Sequence, residues 1–122
     1  MACRITELVL DCRDPERLAA FWCDVLGYVV LDRDEGSVGI GPERPGHLPA
    51  LVLSLSDDPK TGKLPLHIDV NATDRDQDAE LARLLAIGAR HADVGQTGEE
   101  TWIVLQDPEG NEFCLLRRTV KA

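Results

Sequence analysis

ITELVLDCRDPERLAAFWCDVLG, residues Ile5 to Gly27, reads as a strand followed by a helix, and the same grammar returns about sixty residues later. Ile5 to Asp11 alternates apolar and polar residues with the period of a strand. The helix is punctuated at both ends: Asp14 suits the N-cap, Pro15 the first helical position and Gly27 the stop. Leu18, Phe21, Trp22, Val25 and Leu26 fall on one stripe, the face to be buried. The echo begins at LHIDV, Leu66 to Val70, and continues with a helix expected over Asp74 to Gly88, its Leu81, Leu84, Leu85 and Ile87 inward and Gly88 closing. Glu7 stands seven residues before Asp14 and His67 seven before Asp74, so two polar strand residues hold matching places.

Each half adds three extended segments. In the first they are Val29 to Leu31, Ser37 to Ile40 and Leu51 to Leu55. In the second they are roughly His91 to Val94, Thr101 to Leu105 and Glu112 to Leu116. The expectation is an α+β fold of two βαβββ modules within a single domain, residues 1–122, pairing into a half-barrel-like mixed sheet with helices on the outside. Module one covers about residues 1–57, the polar linker DDPKTGK about 57–63, and module two about 64–122.

Composition excludes several function classes. The chain has 22 acidic against 13 basic residues, a formal charge of −9, which repels a phosphate backbone and argues against nucleic acid as a partner. No apolar run approaches the roughly 20 residues that a membrane helix needs, and MACRITELVL lacks a signal peptide's apolar core, so a cytoplasmic protein with no membrane partner is expected. Cys3, Cys12, Cys23 and Cys114 form no CxxC pair, and reduced thiols are expected. Nucleotide-loop, zinc-protease and serine-hydrolase motifs are missing; Thr61-Gly62-Lys63 lacks the upstream glycine of a phosphate loop. Glu99 and Glu100 read as solvated loop charge.

The closing DPEGNEFCLL, Asp107 to Leu116, carries the chemistry worth testing. Asp-Pro and Gly-Asn set a tight polar reversal, after which Phe113 and Leu115 share one face of a strand while Glu112, Cys114 and Leu116 share the other. Two readings of Cys114 stand side by side: a small buried hydrophobe, or a metal ligand or nucleophile on a cavity wall. Asp69 is on the side of His67, either orienting its ring or solvated. Trp102 shares a face with Val104, as core or as the wall of a ligand pocket.

The repeated module, the helix phrase FWCDVLGY, the strand LHIDV and the closing DPEGNEFCLL resemble the vicinal oxygen chelate superfamily, which contains glyoxalase I, bleomycin-resistance proteins, extradiol dioxygenases and fosfomycin-resistance thiol transferases. The resemblance extends to its short bacterial glyoxalase-like proteins and over nearly the whole chain. It implies a cavity between paired modules, and in metal-using members four ligands, two from each module. Those places fall here on Glu7, Leu53, His67 and Cys114. Leu53 offers no lone pair, and Cys114 replaces the usual carboxylate. If a metal binds, Glu7, His67 and Cys114 are its ligands and zinc is the ion that accepts O, N and S donors together.

The resulting expectation is a glyoxalase-like, bleomycin-resistance-protein-like homodimer. It binds a small organic ligand in a pocket lined by Glu7, Leu53, His67, Trp102 and Cys114, without a catalytic metal or other cofactor. The alternative is an enzyme of lyase, isomerase or dioxygenase type acting on an oxygen-rich small molecule, zinc-assisted or using Glu7 and His67 as acid and base.

Overall fold

Helix α1, Pro15–Leu26, starts and stops where its sequence places it. In the computed structural model, which describes residues 2–122, the Asp14 carboxylate accepts the Arg17 N–H at 3.2 Å, and Gly27 closes the helix with a left-handed φ of 68°. Leu18, Phe21 and Trp22 are buried along its stripe, each contributing about 1.5–3 kcal/mol of burial.

The chain forms two compact units, Met1–Asp58 and Pro59–Ala122. The first consists of β1 (Glu7–Cys12), α1, β2 (Val29–Asp34), β3 (Ser37–Gly41) and β4 (Ala50–Leu55), with sheet order β1-β4-β3-β2. The second repeats the plan with β5 (Ile68–Val70), α2 (Gln77–Ala86), β6 (Arg90–His91), β7 (Ile103–Gln106) and β8 (Glu112–Leu115), ordered β5-β8-β7-β6. In both units the first strand runs parallel to the last and the other pairings are antiparallel. This is the expected α+β arrangement of two βαβββ modules, each with its own mixed sheet and helix.

In the first unit the parallel register sets Leu8 beside Leu51 and Leu10 beside Leu53, while β3 contributes Val38 and Ile40 opposite Leu53 and Leu51. These residues form one face; Leu51, Leu53, Val38 and Ile40 are buried, and α1 packs against β3 and β4. The other face presents Glu7 beside Ala50 and Val9 beside Val52. Gly39 lies on that face, where an added Cβ would collide with the Asp32 carboxylate, so the missing side chain is what makes room for Asp32.

Helix α2 and strand β6 differ from the sequence expectation. Helix α2 begins at Gln77, capped by Asp76, whose carboxylate accepts the Ala79 N–H at 2.9 Å. Asp74 is taken instead by the Arg75 guanidinium, at 2.7 and 2.9 Å. Leu84 is fully buried but Leu85, about 100° further round the helix, is exposed. Strand β6 stops after His91, where Gly95 takes a φ of 85° and donates its N–H to the Asp93 carboxylate, turning the chain away.

Candidate functional site

Asp107 is fully buried and organises the turn before β8. Its carboxylate accepts the Glu109 N–H at 2.9 Å, the Asn111 N–H at 3.0 Å and the Asn111 side-chain amide at 2.9 Å, while Gly110 occupies a φ of 85°. The turn fixes the register of β7 against β8, with Val104 opposite Cys114 and Leu105 opposite Phe113. Phe113 and Leu115 are fully buried on the core face, so Glu112, Cys114 and Leu116 are left for the other.

That other face lines a cavity of about 460 Å³ whose walls come entirely from the second unit. Val94, Trp102, Val104 and Leu116 make its apolar side; His67, Asp69, Cys114 and Lys63 make its polar side. Trp102 is 46% exposed, a large aromatic surface open to whatever enters. Val94 joins this wall from beyond the end of β6.

At the polar end, His67 Nε2 lies 3.1 Å from Asp69 Oδ1. Asp69 sits beside Cys114 in the parallel ladder, and the donor atoms of His67, Asp69 and Cys114 all lie within 4.8 Å of one another. Burial raises the Cys114 thiol pKa, and the neighbouring Asp69 carboxylate, which accepts its hydrogen bond, raises it further; Lys63 opposes both. The thiol is therefore held protonated, and nucleophilic chemistry through a free thiolate is disfavoured.

Glu112 closes one side of the cavity. Its carboxylate accepts the Leu64 N–H at 3.0 Å and bonds the Lys60 ammonium at 2.8 Å. Burial alone would raise its pKa, but the Leu64 N–H, Lys60 and the backbone together outweigh it and hold the carboxyl below its ordinary range. Glu100, expected as solvated charge, accepts bonds from the Thr97 N–H and hydroxyl and the Gly98 N–H, stitching the loop that forms another wall. Nothing in the spacing of Glu99 and Glu100 signals this, because it depends on the path of the loop.

Of the sequence-derived pocket residues, the structure brings His67, Trp102 and Cys114 around this cavity. Glu7 is an exposed residue of β1 in the first unit. Leu53 requires a correction: it is fully buried beside Leu10, on the face of the first sheet opposite Glu7, and is core rather than pocket. The residues of β4 on the side of Glu7 are Ala50, Val52 and Ser54, one position out of step with the expectation. Asp69 is the member of the cluster that the ligand pattern omitted; its signal was the alternation that sets it on the side of His67.

Residues 7–116 match the model of the glyoxalase-like domain, and the chain belongs to that family. Its fold is that of the glyoxalase, bleomycin-resistance and dioxygenase superfamily, the vicinal oxygen chelate proteins. Among solved structures it is similar to a glyoxalase/bleomycin resistance protein/dioxygenase family enzyme from Burkholderia phytofirmans PsJN, at 16% identity over 93% of this chain and 97% of the other, with a TM-score of 0.71. It is also similar to a mutant of the fosfomycin resistance protein FosX from Listeria monocytogenes, complexed with Mn(II) and 1S,2S-dihydroxypropylphosphonic acid, at 15% identity over 98% and 94% of the two chains, with a TM-score of 0.72. An oxidase aligns at 17% identity over 99% and 98%, with a TM-score of 0.67. No curated protein matches the chain.

The cluster does not fit manganese. Mn(II) prefers hard oxygen donors, and a thiol here occupies one of the three donor places.

Proposed function

We propose that the cavity of the second unit binds a small organic molecule, with a flat or apolar body against Trp102, Val94 and Leu116 and a polar end at His67, Asp69 and Cys114. The observation that carries this reading is the open Trp102 ring facing a compact polar cluster across about 460 Å³, a volume within the usual range for small-molecule sites. The lining sets Lys63 as its one basic side chain besides His67 against Asp69, Glu100 and Glu112, so a neutral or cationic polar end is favoured over an anionic one. This binding needs no catalytic metal, since the protein's own groups supply both ends.

A fragment library screened by ligand-observed NMR and tryptophan fluorescence tests it. Hits should bind the Trp102→Ala variant about tenfold more weakly, about 1.4 kcal/mol. The melting temperature should barely move, because Trp102 is half exposed. Hits that bind both proteins equally would place the ligand elsewhere.

The contact between His67 and Asp69 favours a second reading, an enzyme of lyase, isomerase or dioxygenase type on an oxygen-rich small molecule. A carboxylate at 3.1 Å holds the imidazole in one orientation, as a general base requires. Turnover abolished by His67→Gln but retained by Trp102→Phe separates catalysis from simple binding.

The same proposal places the protein in the cytoplasm as a homodimer. No disulfide joins its four cysteines, which suits a reducing compartment, and among the described residues no helix is long and apolar enough to cross a membrane. Val9, Leu31, Leu48 and Leu55 of the first unit and Leu66 of the second are more than half exposed, apolar surface of the kind that a partner subunit covers. Light scattering should give the mass of a dimer; a monomer at every accessible concentration would refute it.

A further inference from the structure

We propose that a strap of residues 60–64, latched by Glu112, sets the charge of the cavity: its Lys60 and Lys63 offset the lining carboxylates, so that the site takes a ligand whose polar end is uncharged. The proposal narrows the binding reading above and rests on it.

The strap is bound where its composition suggests a free connection. DDPKTGK is polar and reads as a linker, yet it is fastened to β8 at two points. Glu112, only 8% exposed, accepts the Leu64 N–H at 3.0 Å through Oε1 and the Lys60 ammonium at 2.8 Å through Oε2. These partners lie 48 and 52 residues away along the chain. Lys60 also donates to the Gly62 carbonyl, and Gly62, with a φ of 77°, turns the strap back on itself. Both oxygens of a nearly buried carboxylate are therefore engaged, and charge-assisted bonds of this kind are stronger than neutral ones. Glu112 is a positioning residue in this scheme, acting through the strap that it holds.

Between the two anchors stands Lys63, which lines the cavity. It is near enough to Cys114 for its charge to be felt at the thiol. The lining carboxylates are Asp69, Glu100 and Glu112. His67 aside, the cations that answer them both come from the strap: Lys60 is paired with Glu112, and Lys63 lies by the end formed by Asp69 and Cys114. Glu100 is the remainder, and its oxygens already accept from Thr97 and Gly98 within its own loop.

Charge in a cleft with apolar walls is felt strongly, so this balance decides what enters. With the strap latched, an ammonium or a carboxylate on the ligand would be desolvated against a nearly balanced wall and find no free counter-charge. A hydroxyl, carbonyl or amide can still be met by His67 and Asp69. With the strap released, three carboxylates would face the cavity and a cation would be favoured.

The test reads the cavity with simple quenchers of tryptophan fluorescence, on the whole chain. Of the two tryptophans, Trp22 is 1% exposed and Trp102 is 46% exposed, so collisional quenching reports on the cavity wall. Iodide, caesium and neutral acrylamide are compared at a constant ionic strength of about 0.15 M, where charges beyond about 8 Å are largely screened. In the parent, the caesium-to-iodide ratio of quenching constants should lie within about twofold of that of N-acetyltryptophanamide. Lys63→Met and Lys60→Met should each raise the ratio about twofold, the effect of one charge at roughly 10 Å in water, with the acrylamide constant little changed.

Glu112→Ala separates the latch from its charge by the sign of the change. If the strap stayed in place, losing a carboxylate would lower the ratio; with the strap released, both lysines leave and the ratio rises. The Leu64 amide should then lose its protection from hydrogen exchange. Circular dichroism shows whether this variant folds, and if it does not, Lys60→Met, with one of two anchors gone, should speed exchange at Leu64 about threefold or more.

A parent ratio several-fold above the reference overturns the uncharged ligand class. A ratio indifferent to both lysines overturns the strap as the source of the balance. A lowered ratio in folded Glu112→Ala, or exchange at Leu64 in Lys60→Met equal to that of the parent, overturns the latch. Because the probes are ions and not ligands, these results are separable from the fragment screen. Fragment binding that still depends on Trp102 leaves the binding site standing when the strap fails, whereas binding indifferent to Trp102 overturns the site and the ligand class with it.

Discussion

Leu53→Glu is expected to destabilise the protein by about 4 kcal/mol or more, while Val52→Glu, one residue away, changes stability by about 1 kcal/mol or less. Leu53 is fully buried beside Leu10 and opposite Val38. Deleting a buried leucine to alanine costs about 2–5 kcal/mol, and a carboxylate in the same place must also be desolvated or protonated. Val52 is half-buried on the face shared with Glu7, where a longer polar side chain can reach water. Urea unfolding monitored by circular dichroism gives both values. Equal losses, or a reversed order, would mean that Leu53 faces outward with Glu7 and that the register described above is wrong.

Asp107→Ala should be the second large effect, at about 3–5 kcal/mol. The carboxylate is fully buried and accepts from two backbone N–H groups and the Asn111 amide within a single turn. Removing it strands those donors, each at a cost of about 1–3 kcal/mol, partly recovered where water enters. Asp107→Asn should lose less, because one oxygen remains while its new NH₂ opposes the donor of Asn111. Because this turn sets the β7 and β8 register, the alanine variant should also lose ordering of Cys114 and Val104, readable as loss of amide protection in β8 by hydrogen exchange. An alanine variant as stable as the parent would show that the turn is held by Gly110 and the strands alone.

These two residues mark how far sequence could carry the fold and the site. Asp14, Pro15 and Gly27 signal α1 through local chemistry, and α1 forms where they say. In DRDQD, by contrast, three aspartates compete for one cap, and the choice of Asp76 depends on Arg75 capturing Asp74. Alternation along β8 separated Phe113 and Leu115 from Glu112 and Cys114 correctly, because one strand needs only its own parity. Leu53 was misplaced because its side depends on the register between β1 and β4, and a shift of one residue exchanges the faces. Glu100 was missed as a wall residue, and the partners of Glu112 were not foreseen, for a related reason: the bonds of Glu100 to Thr97 and Gly98 and of Glu112 to Lys60 and Leu64 are set by loop paths that periodicity does not describe.

The parallel pairing of first and last strands within each unit bears on ancestry. Because β1 adjoins β4 and β5 adjoins β8, the segment that opens each module and the one that ends it share a single ladder, and the module is complete without borrowing a strand. Such a segment is a natural unit of duplication. The ladders also show how the copies have drifted. Val9 and Val52, each two residues along from its own strand's first rung, face each other in one copy, while Asp69 and Cys114 face each other in the other. A site carried by one copy is released from the need for symmetry: the valine copy is free to specialise in holding a fold, and the aspartate and cysteine copy to keep or change a chemistry, each without requiring a compensating substitution in its twin.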